Sequence, residues 1–489
     1  MQVYKNGRFA KFDYGEQRNV DIYGQTLWRR ASVFIHRAAV DVATCGGKGR
    51  QEAEGCSRRQ INSGSRAIWH ARPLPRPGSL ALACLAALPL SCAAECRIPG
   101  YKIGGPVDPD ACRNVTEIIR DKGYPVDEHT VVTSDGVILN IQRIPSGRTS
   151  HGKGRRKGPK PVVFLQHGLL SSSADWVINF PNESIAYILA DAGYDVWLGN
   201  VRGNTYASHI KYTRKDKQYW DFSFDQMIAY DLPAMLDYVL KMTQQDKLFY
   251  VGHSQGTLVL FALLSERPEY NDKIQLFSAL GPVTTVTYMT SPVRLLAPFA
   301  KDANLLFRLF GVYDFLPNNW FMKLLADTMC KYHVVRELCE DAIFLITGTD
   351  MHEFNVTRLP VIISHTPAGT SVKNMVHFAQ LVREKKFQKF DYGSRRNLIV
   401  YGQRTPPEYN VSRVAAPVGL FWSLNDWFAD PTDVSSLSKQ LPNLVLNYQV
   451  PDPLFTHVDF TFGIHAKDIV YNTVMKLMAS RKMKMNRRY

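Results

Sequence analysis

The apolar run Leu248-Phe249-Tyr250-Val251 passes directly into Gly252-His253-Ser254-Gln255-Gly256, and that into Thr257-Leu258-Val259-Leu260-Phe261-Ala262-Leu263-Leu264. A short continuous apolar run predicts a strand buried on both faces. The stretch from Gly256 to Leu264 is apolar all round and predicts a buried helix, ended by Ser265-Glu266-Arg267-Pro268. The chain must therefore turn from strand to helix within five residues. Flanking glycines allow so sharp a turn, and the residue at its crest, Ser254, is held out above the sheet. G-x-S-x-G alone is a short pattern that also arises by coincidence. With the strand before it and the helix after it, it reads as the elbow that presents a nucleophilic serine, rather than as a loop with an idle one.

The same alternation extends along the chain. Val131 to Arg143 predicts a hairpin around Asp135-Gly136. Pro161 to Gln166 and Tyr194 to Gly199 are further continuous apolar runs, and Ile274–Leu280, Val418–Trp422 and Val445–Val450 predict later strands. Helical patterns lie at Ser184–Ala192, Phe224–Met242 and Asp468–Ala479. Strands alternating with helices predict an α/β protein with a mostly parallel central sheet. From Gly281 to about Arg413 the alternation stops. Short helices are predicted there at Pro292–Leu309, Trp320–Met329, Val334–Ile346 and Thr370–Val382. Residues 94–281 and 414–489 are thus expected to form one core, and 282–413 an inserted helical cap whose apolar surface covers Ser254.

The first 93 residues differ from the rest. They hold fourteen Lys and Arg against six Asp and Glu, about half of a net charge of +15. Residues 80–93, with the apolar run Leu80 to Leu90 and small residues at Ser91-Cys92-Ala93-Ala94, predict a signal peptide. Phe9 to Gln25 recurs as Phe387 to Gln403. Residues 1–79 are accordingly expected to be a non-native extension without fixed structure, a gene-model artefact carrying a fragment of a related gene. The chain after residue 93 keeps Cys96, Cys112, Cys330 and Cys339, an even set consistent with two disulfides in a secreted protein. Proximity favours Cys96–Cys112 and Cys330–Cys339. Sequons stand at Asn114, Asn182, Asn355 and Asn410. No apolar run is long enough to span a membrane, and the basic charge accompanies no nucleic-acid motif.

A serine hydroxyl needs a base within hydrogen-bond reach and a third group to orient that base. After Ser254 the acids on offer are Asp426, Asp430 and Asp433. Asp426 lies just past the Val418–Trp422 strand, whereas Asp430 precedes Pro431 and looks like a turn or helix-start residue. His457 lies on a loop after the last predicted strand, with His465 as the alternative base. The tetrahedral intermediate needs two backbone N–H donors. Gln255, following the nucleophile, supplies one, and the His167-Gly168-Leu169-Leu170 loop supplies the other, with Leu169 the expected donor. His167 precedes the nucleophile and is read as shaping that loop.

Taken together, His167 to Ser173, Leu198-Gly199-Asn200-Val201-Arg202-Gly203-Asn204-Thr205, Gly252 to Gly256, Asn374-Met375-Val376-His377, Asn425-Asp426 through Pro431, and His457-Val458-Asp459-Phe460 resemble the acid lipase family of the α/β-hydrolase superfamily. The resemblance spans about Gly123 to Lys476. It implies the α/β-hydrolase fold with a helical cap, and a Ser254, Asp426, His457 triad. It further implies an oxyanion hole from Leu169 and Gln255 and a disulfide at the spacing of Cys330 and Cys339. Nothing before residue 94 belongs to it, although residues 9–25 resemble the family's own cap segment. The expected activity is serine-dependent hydrolysis of carboxylic esters of neutral lipids, triacylglycerols or cholesteryl esters, at a lipid–water interface. No metal or cofactor is expected, and the destination is extracellular or the lysosomal lumen. The alternatives are a non-catalytic lipid-binding or storage protein, and a small-ester esterase or acyltransferase.

Overall fold

The computed structural model describes residues 108–148, 159–291 and 352–486, together with 4–5, 8–9, 294 and 314–315. The chain divides into two units, Met1–Ala93 and Ala94–Tyr489. In the first, Tyr4–Lys5 pairs antiparallel with Arg8–Phe9. The rest of the expected extension, the signal peptide at 80–93, the helices expected within 292–346, and Cys96, Cys330 and Cys339 lie outside the described residues.

The second unit is built on a nine-stranded sheet. Its strands are β1 (Asp127–Val132), β2 (Val137–Ile144), β3 (Val162–Gln166), β4 (Asp195–Gly199), β5 (Ala207–His209), β6 (Leu248–His253), β7 (Ile274–Leu280), β8 (Val418–Trp422) and β9 (Leu444–Gln449). The spatial order is β9-β8-β7-β6-β3-β4-β2-β1, with β5 paired to β2. From β9 to β4 every pairing is parallel; β2 runs antiparallel to β1, β4 and β5. The parallel strands β3, β4 and β6 are buried along their whole length, which is why they are apolar without alternation.

Successive residues of these strands feed two cores. Val162, Phe164, Trp197, Leu248, Tyr250 and Phe277 face one side. There they meet helices α3 (Leu232–Thr243) and α4 (Gln255–Glu266), so labelled to follow α1 (Val115–Asp121) and α2 (Ile185–Asp191) in the chain. Val163, Leu165, Val196, Leu198, Phe249 and Val251 face the other side, against α1, α2 and Val474 and Met478 of the C-terminal helix. The expected helix over 224–242 is broken locally: Phe224–Gln226 is followed by a wider π turn, Met227–Asp231, before α3 begins. The C-terminal helix enters through a similar turn at Lys467–Tyr471.

Between β7 and β8 lie α5 (Leu359–His365), α6 (Val372–Glu384) and α7 (Ser394–Tyr401). Polar contacts tie this inserted segment to the sheet layers. Buried Arg358, at the head of α5, bonds Asp108 (2.7 Å) and Asp110 (2.9 Å). Asp225 accepts from the Tyr409 hydroxyl (2.7 Å) and the Phe390 N–H (2.9 Å). His377 of α6 stacks on Phe224 at 3.7 Å. Cys112 is disulfide-bonded. Among the described residues no helix is long and apolar enough to cross a membrane.

Candidate functional site

Ser254 stands between β6 and α4 with φ 54° and ψ −121°, a conformation costly for a residue with a Cβ. The two glycines around it answer to space. A Cβ on Gly256 would lie 2.2 Å from the Gln166 carbonyl oxygen and 2.8 Å from that of His167; one on Gly252 would lie 2.8 Å from the Gly256 carbonyl oxygen. The elbow is pressed against the end of β3, and only glycine allows that approach. The strained backbone is held by neighbours. Ser254 N–H donates to the Leu280 carbonyl (3.1 Å), and the Ser254 carbonyl accepts from both the N–H (2.8 Å) and the hydroxyl (2.7 Å) of Thr257.

Past β8, Asp426 is buried and directs Oδ2 at His457 Nδ1, 2.8 Å away. Its Oδ1 accepts the backbone N–H groups of Phe428 (2.9 Å) and Ala429 (2.7 Å). Burial works to raise its pKa, but the adjacent His457, its hydrogen bond and the two N–H donors outweigh burial and hold the carboxyl below its ordinary value. Asp426 is thus held as a carboxylate, so His457 keeps its proton on Nδ1. Nε2 of His457 is buried and has no hydrogen-bond partner among the described residues.

His253, beside Ser254, links the elbow to this pair. Its Nε2–H donates to the His457 carbonyl (2.8 Å), and the two imidazoles lie 4.8 Å apart. Burial, reinforced by the neighbouring His457, depresses its pKa to about 3, so it stays neutral and acts as a strut. Gly281, just after β7, completes the floor. It adopts φ +53°, and a Cβ there would lie 3.0 Å from His457 Cε1 and Nδ1 and 3.2 Å from Asp426 Oδ2. Neither His253 nor Gly281 is marked as part of the site by the sequence pattern alone. The glycine following an apolar strand was the available signal for the second; the first sat in a variable position of the motif.

The loop after β3 comes up against the serine: a Cβ on Gly168 would lie 3.0 Å from Ser254 Cβ. His167 is buried, and burial lowers its pKa to about 4. Its Nε2 accepts from the Val201 N–H (3.3 Å) and the Asn204 amide (3.2 Å), which leaves Nδ1 to donate to the Gly168 carbonyl (2.8 Å). In a trans peptide the next N–H, that of Leu169, points away from that carbonyl. Leu170 is held at φ 61°, and its carbonyl accepts from Ala368 N–H at 2.6 Å. Gln255 opens α4, where the first N–H groups have no partner within the helix. Its side chain is fixed by Asn374 of α6, whose amide donates to Oε1 at 2.8 Å.

The remaining candidates are engaged elsewhere. Asp430 caps the helix Pro431–Gln440 through the Thr432 N–H (2.7 Å). Asp433 accepts from Thr285 (2.7 Å) and Tyr288 (2.9 Å). His465 pairs with Glu353 at 2.8 Å, with its side chain 60% exposed. Among the described residues no cluster of three or more His, Cys, Asp or Glu could hold a metal ion. The sequons Asn114, Asn182 and Asn410 are exposed and Asn355 half-buried.

Residues 115–180 match the family model described as a partial alpha/beta-hydrolase lipase region, and residues 161–454 the one described as the alpha/beta hydrolase fold. The chain is 44% identical over 374 residues to lysosomal acid lipase/cholesteryl ester hydrolase of Homo sapiens, covering 76% of this chain and 92% of that protein. It is 44% identical over 378 residues to gastric triacylglycerol lipase of Bos taurus, covering 77% and 93%. With lipase member K of Homo sapiens it shares 43% over 382 residues, covering 78% and 94%.

Proposed function

This chain belongs to the acid lipase family of α/β-hydrolases, and from that premise we propose that it hydrolyses neutral lipid esters through an acyl-enzyme on Ser254. The observation that carries the assignment of residues is the 2.8 Å bond from His457 Nδ1 to a buried, ionised Asp426, beside a serine held at a strained elbow. With Nδ1 protonated, His457 Nε2 has a free lone pair and takes the Ser254 proton as Oγ attacks the ester carbonyl carbon. The carbonyl π electrons move onto oxygen, and the N–H groups of Leu169 and Gln255 stabilise that oxyanion. Each such donor is typically worth about 10²–10³ in rate. Collapse of the intermediate expels the alcohol, which takes the proton from Nε2. Water, deprotonated by the same nitrogen, then releases the fatty acid and restores Ser254.

Residues 94–281 and 414–489 form the catalytic core, and 282–413 a cap over it. Cys330–Cys339 and Cys96–Cys112 are bridged. Asn114, Asn182, Asn355 and Asn410 are accessible to glycosylation, and the protein acts in the extracellular space or lysosomal lumen on triacylglycerols or cholesteryl esters.

The test is Ser254→Ala, assayed beside the parent on a triacylglycerol, a cholesteryl ester and a short soluble ester. Loss of all turnover with unchanged thermal unfolding is expected; retained turnover would refute the nucleophile.

A further inference from the structure

In α7, Leu398, Ile399 and Val400 are 51%, 80% and 49% exposed. The other large apolar side chains exposed among the described residues stand singly in the chain. Consecutive apolar residues in water mark an interaction surface rather than a packing need. The helix is not held by its apolar residues. Its one buried residue is Asn397, whose amide donates to Asp391 Oδ1 (2.7 Å) and the Arg404 carbonyl (3.0 Å) and whose oxygen accepts the Tyr392 N–H (2.9 Å). The Tyr401 hydroxyl adds a bond to the Phe390 carbonyl (2.9 Å). Polar tethers thus fix the helix while its apolar residues stay free.

The charges around the run decide what covers it. Arg395, Arg396 and Arg404 are all exposed, and Arg396 lies over Tyr392 at 4.7 Å. The neighbouring acid, Asp391, is occupied by Asn397 and the Gly393 N–H (2.8 Å), with Arg383 at 3.9 Å. An apolar crest flanked by arginines and tyrosines suits a helix lying in an anionic lipid surface. The helix is also connected to the elbow. Lys373 lies over Phe390 (5.3 Å) and Tyr392 (5.1 Å), and its neighbour Asn374 bonds Gln255.

We propose that α7 seats the protein on an anionic lipid–water interface, with Leu398, Ile399 and Val400 inserted and Arg395, Arg396 and Arg404 against anionic headgroups. The proposal rests on the neutral-lipid reading, since an ester insoluble in water must be met at such a surface.

The test uses the full chain carrying Ser254→Ala, cosedimented with phosphatidylcholine vesicles with and without phosphatidylglycerol. Adding Ile399→Glu, which replaces an inserted apolar group by a charge, is expected to weaken partitioning by at least about tenfold. Arg395→Glu with Arg396→Glu is expected to remove the preference for phosphatidylglycerol. With Ser254 intact, Ile399→Glu should hydrolyse a soluble short-chain ester at the parent rate and an emulsified ester more slowly. Ile399→Asn, which removes apolar surface without adding charge, is expected to weaken binding in the same direction and serves if the glutamate variant fails to fold. Unchanged vesicle binding by Ile399→Glu, or by Ile399→Asn in its place, overturns the proposal. So does a parent dimer that the variant converts to monomer without loss of vesicle binding, since the run would then be a self-association surface. If the Ser254→Ala chain binds vesicles but the chain with Ser254 intact hydrolyses no ester, the hydrolase reading falls and the surface stands.

Discussion

Replacing Asp426 by Asn changes one atom and, by the geometry around it, should invert the tautomer of His457. Oδ1 of Asp426 accepts two backbone N–H groups, from Phe428 at 2.9 Å and Ala429 at 2.7 Å. An asparagine amide must keep its oxygen there. Turning it round would set an NH2 against two N–H donors and cost about 1–3 kcal/mol for each bond lost. The amide nitrogen therefore faces His457 Nδ1, where the carboxylate oxygen now accepts at 2.8 Å. Nδ1 must then accept, the ring proton moves to Nε2, and no lone pair remains to take the Ser254 proton. In serine hydrolases this loss of the productive tautomer is worth about 10⁴ in kcat, or about 5 kcal/mol of transition-state stabilisation. The assay is kcat on a soluble ester, with active-site titration by an organophosphonate, for Asp426→Asn and Asp430→Asn. Asparagine caps a helix as well as aspartate does, so Asp430→Asn should keep parental activity. An Asp426→Asn variant within tenfold of the parent, or a greater loss in Asp430→Asn, would refute the reasoning and move the triad acid.

Gly281→Ala should lose about 1–2 kcal/mol of stability from its positive φ, and a Cβ 3.0 Å from His457 Nδ1 should shift the imidazole. A kcat fall of about tenfold with KM little changed is expected, since small misplacements of catalytic groups are amplified; full activity would show that the ring has room. Neutral His253 makes folding sensitive to acid. Its folded pKa of about 3 lies below the ordinary value of 6.5, so from about pH 6.5 towards 3 the unfolded chain binds the extra proton and stability falls. His253→Gln should flatten the decline of the thermal midpoint over that window, and an unchanged slope would remove His253 from the balance. Asp426 works in the same sense but lower: its depressed pKa stabilises the fold above the ordinary carboxylate range and is lost as pH falls through the folded value. His167→Ala, which frees the Gly168 carbonyl held at 2.8 Å, should weaken binding of a tetrahedral phosphonate analogue more than it raises KM; equal losses in both would indicate general damage to the fold.

Much of the core was legible because burial on both faces leaves a direct trace in composition. The runs at 162–166, 195–199 and 248–253 are strands within one or two residues of expectation. The expected helix at 370–382 is α6 over Val372–Glu384, preceded by Thr370–Ser371 paired to Asp314–Phe315. By contrast α7 left no apolar period to detect, because its one buried residue is polar and its apolar residues face water. The Glu353–His465 hydrogen bond and the pairs of Arg358 with Asp108 and Asp110 were equally silent: such contacts join residues far apart in the chain, and no local pattern encodes the partner.

Local order in the chain was enough to determine the serine elbow, the strand-and-helix alternation and the short set of acids and histidines from which a base could come. Strand, turn and helix are properties of neighbouring residues, and steric limits on glycine-flanked turns act over a few bonds. Which acid meets which histidine was settled by the sheet. The loops after β7 and β8 and the His457 loop beyond β9 converge on the elbow; Asp426 meets His457, while Asp430 caps a helix and His465 turns to Glu353. The neutral strut at His253 and the space that only Gly281 leaves belong to that convergence, since both depend on atoms brought within about 3 Å from distant parts of the chain.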